Sequence, residues 1–186
     1  MGKQQIWKLA DLPLLMTGDR LAFRAEGWQR PVIAVIGAKT WHWAFVGEPL
    51  VDNELSQGDW SVEDSTSKGT TSHLLSEYQY RHMRIYRPEL SDGQQESEAR
   101  YLLKWCKYYG VCKYDMAGVF HLALWCILRK LGIKVKWWER NDRFWCLEYL
   151  DQVNRDLDHQ VVPDDEPAYP TNFERNKTHK LIWGTF

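Results

Sequence analysis

The sequence predicts an α+β fold in which strands from the first half, forming an antiparallel sheet or small barrel, pack against helices from the second half. Two observations carry this. Apolar residues alternate with a period of two in several segments before residue 88, and recur at helical spacing after residue 91. The chain's 186 residues also suit a single core. A body over residues 1–159 is expected, with 160–186 as an extended tail packed on it.

The elements follow in order. Residues 19–24, "DRLAFR", alternate as a half-buried strand does. "PVIAVIG" is a short β-branched run, read as a strand or a helix-like turn. "TWHWAFVG" at 40–47 places Trp41, Trp43 and Phe45 on one face and His42, Ala44 and Val46 on the other. "EPLVDNELSQGD" is loop-like. "WSVEDS" at 60–65 is the next strand, with Trp60, Val62 and Asp64 opposite Ser61, Glu63 and Ser65. The strand at 82–87 stops at Pro88. Ser91 or Asp92 caps a helix through "QQESEARYLLKWCKYY", and Gly110 ends it. A second helix runs to about Leu131, its stripe made of Val119, Phe120, Ala123, Leu124, Ile127, Leu128 and Leu131. A third starts from Asn141 or Asp142 and carries Cys146. "QVVPDDEPAYPTNFERNKTHK" is tail-like, with "KLIWGTF" as its anchor.

Composition narrows the function classes. Lys plus Arg number 24 and Asp plus Glu 25, for a formal charge of −1, which speaks against a dedicated nucleic-acid binder. Eleven tryptophans suit a core or a lined groove. Cys106, Cys112, Cys126 and Cys146 form no C-x-x-C pair and read as free thiols of a reducing compartment. The first twenty residues hold no uninterrupted apolar stretch, so no signal peptide is read and a cytoplasmic location is expected.

A nucleophilic cysteine needs a thiolate, a base and a group to orient the base. A helix start favours the thiolate, and Cys146 stands near one with Leu150 and Val153 on its core-facing side. His73, His82, His159 and His179 have polar surroundings, and His121 lies in an apolar helix. His42 differs, being a polar residue within an apolar strand, held as rigidly as a general base requires. Glu63 in the next strand is the expected orienter, with Asp64 pointing away.

These motifs, in this order, resemble the circularly permuted papain-like hydrolases related to the NlpC peptidoglycan peptidases. "TGDRLAF" resembles their opening strand, "TWHWAFVG" their histidine strand, "WSVEDS" the strand of the third polar residue and "FWCLEYL" the nucleophile helix. "KYDMAGVF" is similar to the segment before that helix. The resemblance implies a permuted papain-like fold with Cys146 as nucleophile, His42 as base and Glu63 as orienter. It also implies Tyr114 as an oxyanion donor. Leu147 and Trp43 depart from the residues usual after the nucleophile and the histidine.

The expected activity is cleavage of an amide bond in a peptide, a peptidoglycan fragment or an acylated small substrate, through a thioester. Trp41, Trp43 and Trp145 are candidates to line the groove, and neither metal nor other cofactor is required. A lipid-directed acyl hydrolase or acyltransferase is the second reading, prompted by the basic, Trp-rich "LRKLGIKVKWWER" at 128–140. A non-catalytic binding or structural module is the third.

Overall fold

A computed structural model describes residues 4–27, 29–50, 58–66, 69–91, 93–94, 97, 100–101, 113–114, 116–134, 143–144, 146–163 and 166–186. In chain order its strands are β1 (Arg20–Arg24), β2 (Thr40–Leu50), β3 (Asp59–Thr66), β4 (Gly69–Leu74), β5 (Met83–Pro88), β6 (Lys113–Tyr114), β7 (Arg143–Phe144) and β8 (His179–Gly184). The helices are α1 (Gln29–Ile36), α2 (Met116–Lys130), α3 (Cys146–Asp156) and α4 (Pro170–Glu174). Six strands form one antiparallel sheet in the order β4-β3-β2-β1-β5-β8, while β6 and β7 pair in parallel.

The sheet is buried on both faces. Ala22, Trp43, Phe45 and Tyr86 pack with Leu147, Tyr149, Leu150 and Val153 of α3 and with Phe173 of α4. Leu21, Phe23, Ala44, Val46, Val62, Met83 and Ile85 line the opposite face with Trp7, Leu15, Leu75 and Tyr78. Central strands covered on both sides read as unbroken apolar runs, which is why "LAF" and "WAFV" have no polar residue between their apolar ones.

Several expectations change. "PVIAVIG" is helical: Pro31 falls in the first turn of α1, where its missing N–H costs nothing, and Gly37 closes the helix at φ 81. Strand β2 runs on through Pro49 and Leu50, into residues expected to form a loop. Strand β4 is too polar to announce itself; it forms because it pairs along β3, Ser72 opposite Glu63. Among the described side chains of α2, Leu122, Trp125 and Cys126 are buried, whereas Phe120, and Leu131 just past the helix, both of the expected stripe, are 65% and 70% exposed. A helix that is apolar nearly all round does not specify its inward face. The helix predicted from Ser91 or Asp92 lies largely outside the described residues, although Arg100 and Tyr101 are helical. Residues beyond 159 supply α4, buried core at Val162, Ala168 and Phe173, and the edge strand β8. Among the described residues no helix is long and apolar enough to cross a membrane.

Candidate active site

The β2–β3 register decides which carboxylate meets His42. Ala44 lies opposite Asp64, and Phe45 opposite Glu63. Directly opposed residues share a face, so Asp64 joins the side of the sheet that His42 and Ala44 occupy. The His42 Nε2 to Asp64 Oδ2 distance is 3.0 Å, and Asp64 is 1% exposed. The expected role of Glu63 is therefore corrected. Its carboxylate lies on the other face, accepts from Ser72 Oγ at 3.0 Å and sits close over Gly47.

Asp64 is held by more than His42. The Tyr78 hydroxyl donates to the same Oδ2 at 2.7 Å. His73 Nε2 stands 3.7 Å from Oδ1, and its Nδ1 stands 3.5 Å from Glu77 Oε2. The His42 ring stacks on Phe23 with centroids 5.6 Å apart, and Phe23 stacks on Tyr78 at 4.8 Å.

The strand carrying His42 is fastened just upstream. Glu174 of α4 accepts from the Lys39 and Thr40 N–H groups at 2.9 and 2.8 Å and from the Thr40 hydroxyl at 2.5 Å. The Trp43 indole donates to Thr40 Oγ1 at 2.9 Å. Trp43 is fully buried against Tyr86 and Phe173, with centroids 5.2 and 5.5 Å away. It is core, not groove, contrary to expectation. Trp41 is half-buried beside that core, and Trp145 lies outside the described residues. The strand β6 brings the Tyr114 backbone beside Phe144; the side chain that was the oxyanion candidate lies outside the description.

Cys146 is the first residue of α3, so this helix starts later than Asn141 or Asp142 would have set it. Leu147, Leu150 and Val153 bury this end of the helix against the sheet. The Cys146 sulfur lies 3.9 Å from the Trp41 carbonyl oxygen, next in sequence to His42. The backbone N–H groups of a helix's first turn have no partner within the helix, and those of α3 therefore lie beside the sulfur.

Electrostatics tie the three side chains together. Burial alone would depress His42, but hydrogen bonds to Asp64 and Cys146, with the charges of both, raise its pKa from 6.5 to about 9. Burial would likewise raise Asp64, but His42 and Tyr78 hold it below its ordinary 3.8. With Nε2 engaged by Asp64, Nδ1 is the ring nitrogen left for the sulfur. By contrast, burial pushes the Cys126 thiol up.

Linkage gives these shifts a sign. The stability that His42 gains is fully present below pH 6.5 and lost as pH rises through about 9. The Asp64 contribution is present above pH 3.8 and lost below it as the carboxylate protonates. The pair together therefore stabilises most between about pH 4 and 6.5. Thermal melts across pH are expected to show an alkaline decline that His42→Gln flattens. An unchanged alkaline limb in that variant removes the coupling.

Sequence reasoning missed Asp64, Tyr78 and Glu174. It also took His179 as solvated, yet that ring is buried, 6.1 Å from Phe173 at an interplanar angle of 11°. Burial, then the charges of Arg20 and His159, lower its pKa to about 3 and keep it neutral. Among the described residues no group of three or more His, Cys, Asp or Glu side chains is placed to hold a metal ion.

The arrangement is of one class: an imidazole between a buried carboxylate and a cysteine at a helix start, on an antiparallel sheet backed by helices. Neither a family model nor a curated protein matches the chain. Among solved structures, the metalloprotein yiiX from Escherichia coli O157:H7 has a similar fold, with a TM-score of 0.53 and 15% identity over 89% of this chain and 88% of that one. At that identity the likeness concerns the fold alone.

Proposed function

We propose that the chain is a cysteine hydrolase of amide bonds with a permuted papain-like fold, in which Cys146 is the nucleophile, His42 the base and Asp64 the orienter. The observation that supports this best is the position of His42 between a 1%-exposed carboxylate and a thiol. The His42 imidazole, hydrogen-bonded to the sulfur, takes the thiol proton as the sulfur attacks. Attack on the acyl carbon gives a tetrahedral oxyanion, met by the backbone N–H at the start of α3. His42 passes its proton to the leaving nitrogen as the C–N bond breaks, leaving a thioester on Cys146. Water, deprotonated by His42, then attacks the thioester and releases the acid and the thiol. The substrate is a peptide, a peptidoglycan-type fragment or another acylated small molecule.

Intact-mass detection of an acyl-enzyme after mixing with a p-nitrophenyl ester, and iodoacetamide labelling at mildly acidic pH, test this reading. Label on Cys146 ahead of Cys126 is the expected result. Access does not explain such a preference, because Cys146 is 2% exposed and Cys126 8%. Labelling of Cys126 first, with no acyl adduct, rejects the nucleophile.

A lipid-directed version of the same chemistry has one supporting observation. Phe120, Leu124, Ile127 and Leu131 turn outward from α2, next to Arg129 and Lys130. Residues 135–140 of the basic, Trp-rich stretch lie outside the described residues. Cosedimentation with anionic liposomes separates this version from a hydrolase of dissolved substrates.

A further inference from the structure

Arg81 precedes β5 and has no part in the three-residue chemistry above. Its guanidinium lies over the Phe23 ring, 4.6 Å from the centroid. Phe23 is the same ring that stacks on His42. The backbone of Arg81 is pinned on both sides: its N–H donates to the Tyr78 carbonyl at 2.9 Å and its carbonyl accepts from the Trp7 indole at 3.0 Å. The side chain lies over Phe23, one ring removed from the imidazole, instead of trailing into solvent.

The surroundings of this cation are acidic. Burial works against its charge, while the carboxylates of Glu26, from the segment after β1, and of Asp64 in β3 favour it. Yet among the described residues the guanidinium has no ion pair or hydrogen bond; it rests on the Phe23 ring. Asp64, the buried carboxylate in that group, already binds His42 and Tyr78. A half-buried guanidinium fixed on an aromatic face keeps its N–H edge for a planar anion, and a carboxylate suits that edge in two-point fashion.

We infer that Arg81 reads a negative charge on the substrate close to the bond that Cys146 attacks, so that the preferred acyl substrates carry a carboxylate there. The inference rests on the hydrolase reading of the site. It narrows the substrate class to acidic or carboxylate-ended acyl compounds. Arg81 is a specificity-determining residue in this scheme, since it neither takes a proton nor forms a bond.

The test uses iodoacetate and iodoacetamide, two alkylating reagents of nearly the same size that differ by one negative charge. Rates of Cys146 alkylation by each are measured by peptide mass spectrometry on the full chain, and their ratio is compared between proteins. The positive charge on His42 is common to all of them, so the change in ratio reports Arg81. Arg81→Gln is expected to lower the iodoacetate-to-iodoacetamide ratio about tenfold, equivalent to about 1.4 kcal/mol. Arg81→Lys keeps the charge and is expected to retain most of the ratio, which also covers a folding failure of the glutamine variant. Added salt should lower the wild-type ratio more steeply than that of Arg81→Gln, in which the His42 charge alone remains to be screened. A ratio unchanged in folded Arg81→Gln, or one lowered as far in Arg81→Lys, overturns the inference while the hydrolase reading stands. Failure of wild-type Cys146 to react with either reagent overturns both.

Discussion

Asp64→Asn is expected to slow acyl transfer by about 10⁴-fold, the scale on which an orienting carboxylate acts in other nucleophile–imidazole sites, with far-UV dichroism unchanged. The Asp64 Oδ2 receives both the His42 Nε2 at 3.0 Å and the Tyr78 hydroxyl at 2.7 Å. An amide oxygen in its place can accept from both, but without the charge that stabilises an imidazolium. An amide nitrogen there instead presents a donor to His42 and invites the wrong tautomer. Glu63→Gln is the control. It keeps an acceptor for Ser72 Oγ on the opposite face of the sheet, so the rate should stay close to that of the wild type. Equal losses in the two variants would return the orienting role to open question and contradict the register reading. The comparison uses burst amplitudes and rates with a p-nitrophenyl ester, followed by a panel of γ-glutamyl and peptide substrates.

Cys146→Ala and His42→Gln are expected to abolish the acyl adduct entirely while leaving folded protein. Alanine removes one sulfur from a tight site, at a cost of about 1 kcal/mol. Glutamine at position 42 conserves much of the volume and can still donate to Asp64. His42→Ala is harsher, because it leaves the buried Asp64 carboxylate short of a partner, at about 1–3 kcal/mol. The pattern inverts if these residues serve packing alone: melting points then fall, and the wild type is inert toward every substrate tried. Activity loss with a stable fold and stability loss without activity are distinct outcomes of the same experiments.

The sequence exposed some parts of this arrangement more clearly than others. His42 stood out because a polar side chain interrupted an apolar strand. Cys146 stood out because "FWCLEYL" places a thiol where helical periodicity begins. The choice between Glu63 and Asp64 was not legible. Adjacent residues point to opposite faces, and a slip of one residue in pairing exchanges them. The β2–β3 pairing also contains a register shift between Val46 and Pro49, which strand patterns do not reveal. Tyr78 and Glu174 were invisible for another reason. They act through distant partners, Glu174 across 134 residues to Thr40, and local patterns carry no trace of such contacts. Strand β4 and the inward face of α2 likewise depend on the rest of the fold, through pairing and packing.

The separation in sequence between the sulfur and its base has a kinetic consequence. Trp41 and Cys146 are 105 residues apart, and Arg20 of β1 bonds Asn154 of α3 across 134. Contacts of such span close late, because the loop entropy must be met before the packing repays it. During synthesis β2 emerges long before α3, so the nascent chain carries an imidazole without its thiol. In partly folded states Cys146 lacks the neighbouring imidazole and carboxylate that the folded site gathers around it. On the hydrolase reading, assembly of the domain is then itself the step that brings the thiol to its base, and a newly made or unfolding chain does not present the complete site to its neighbours.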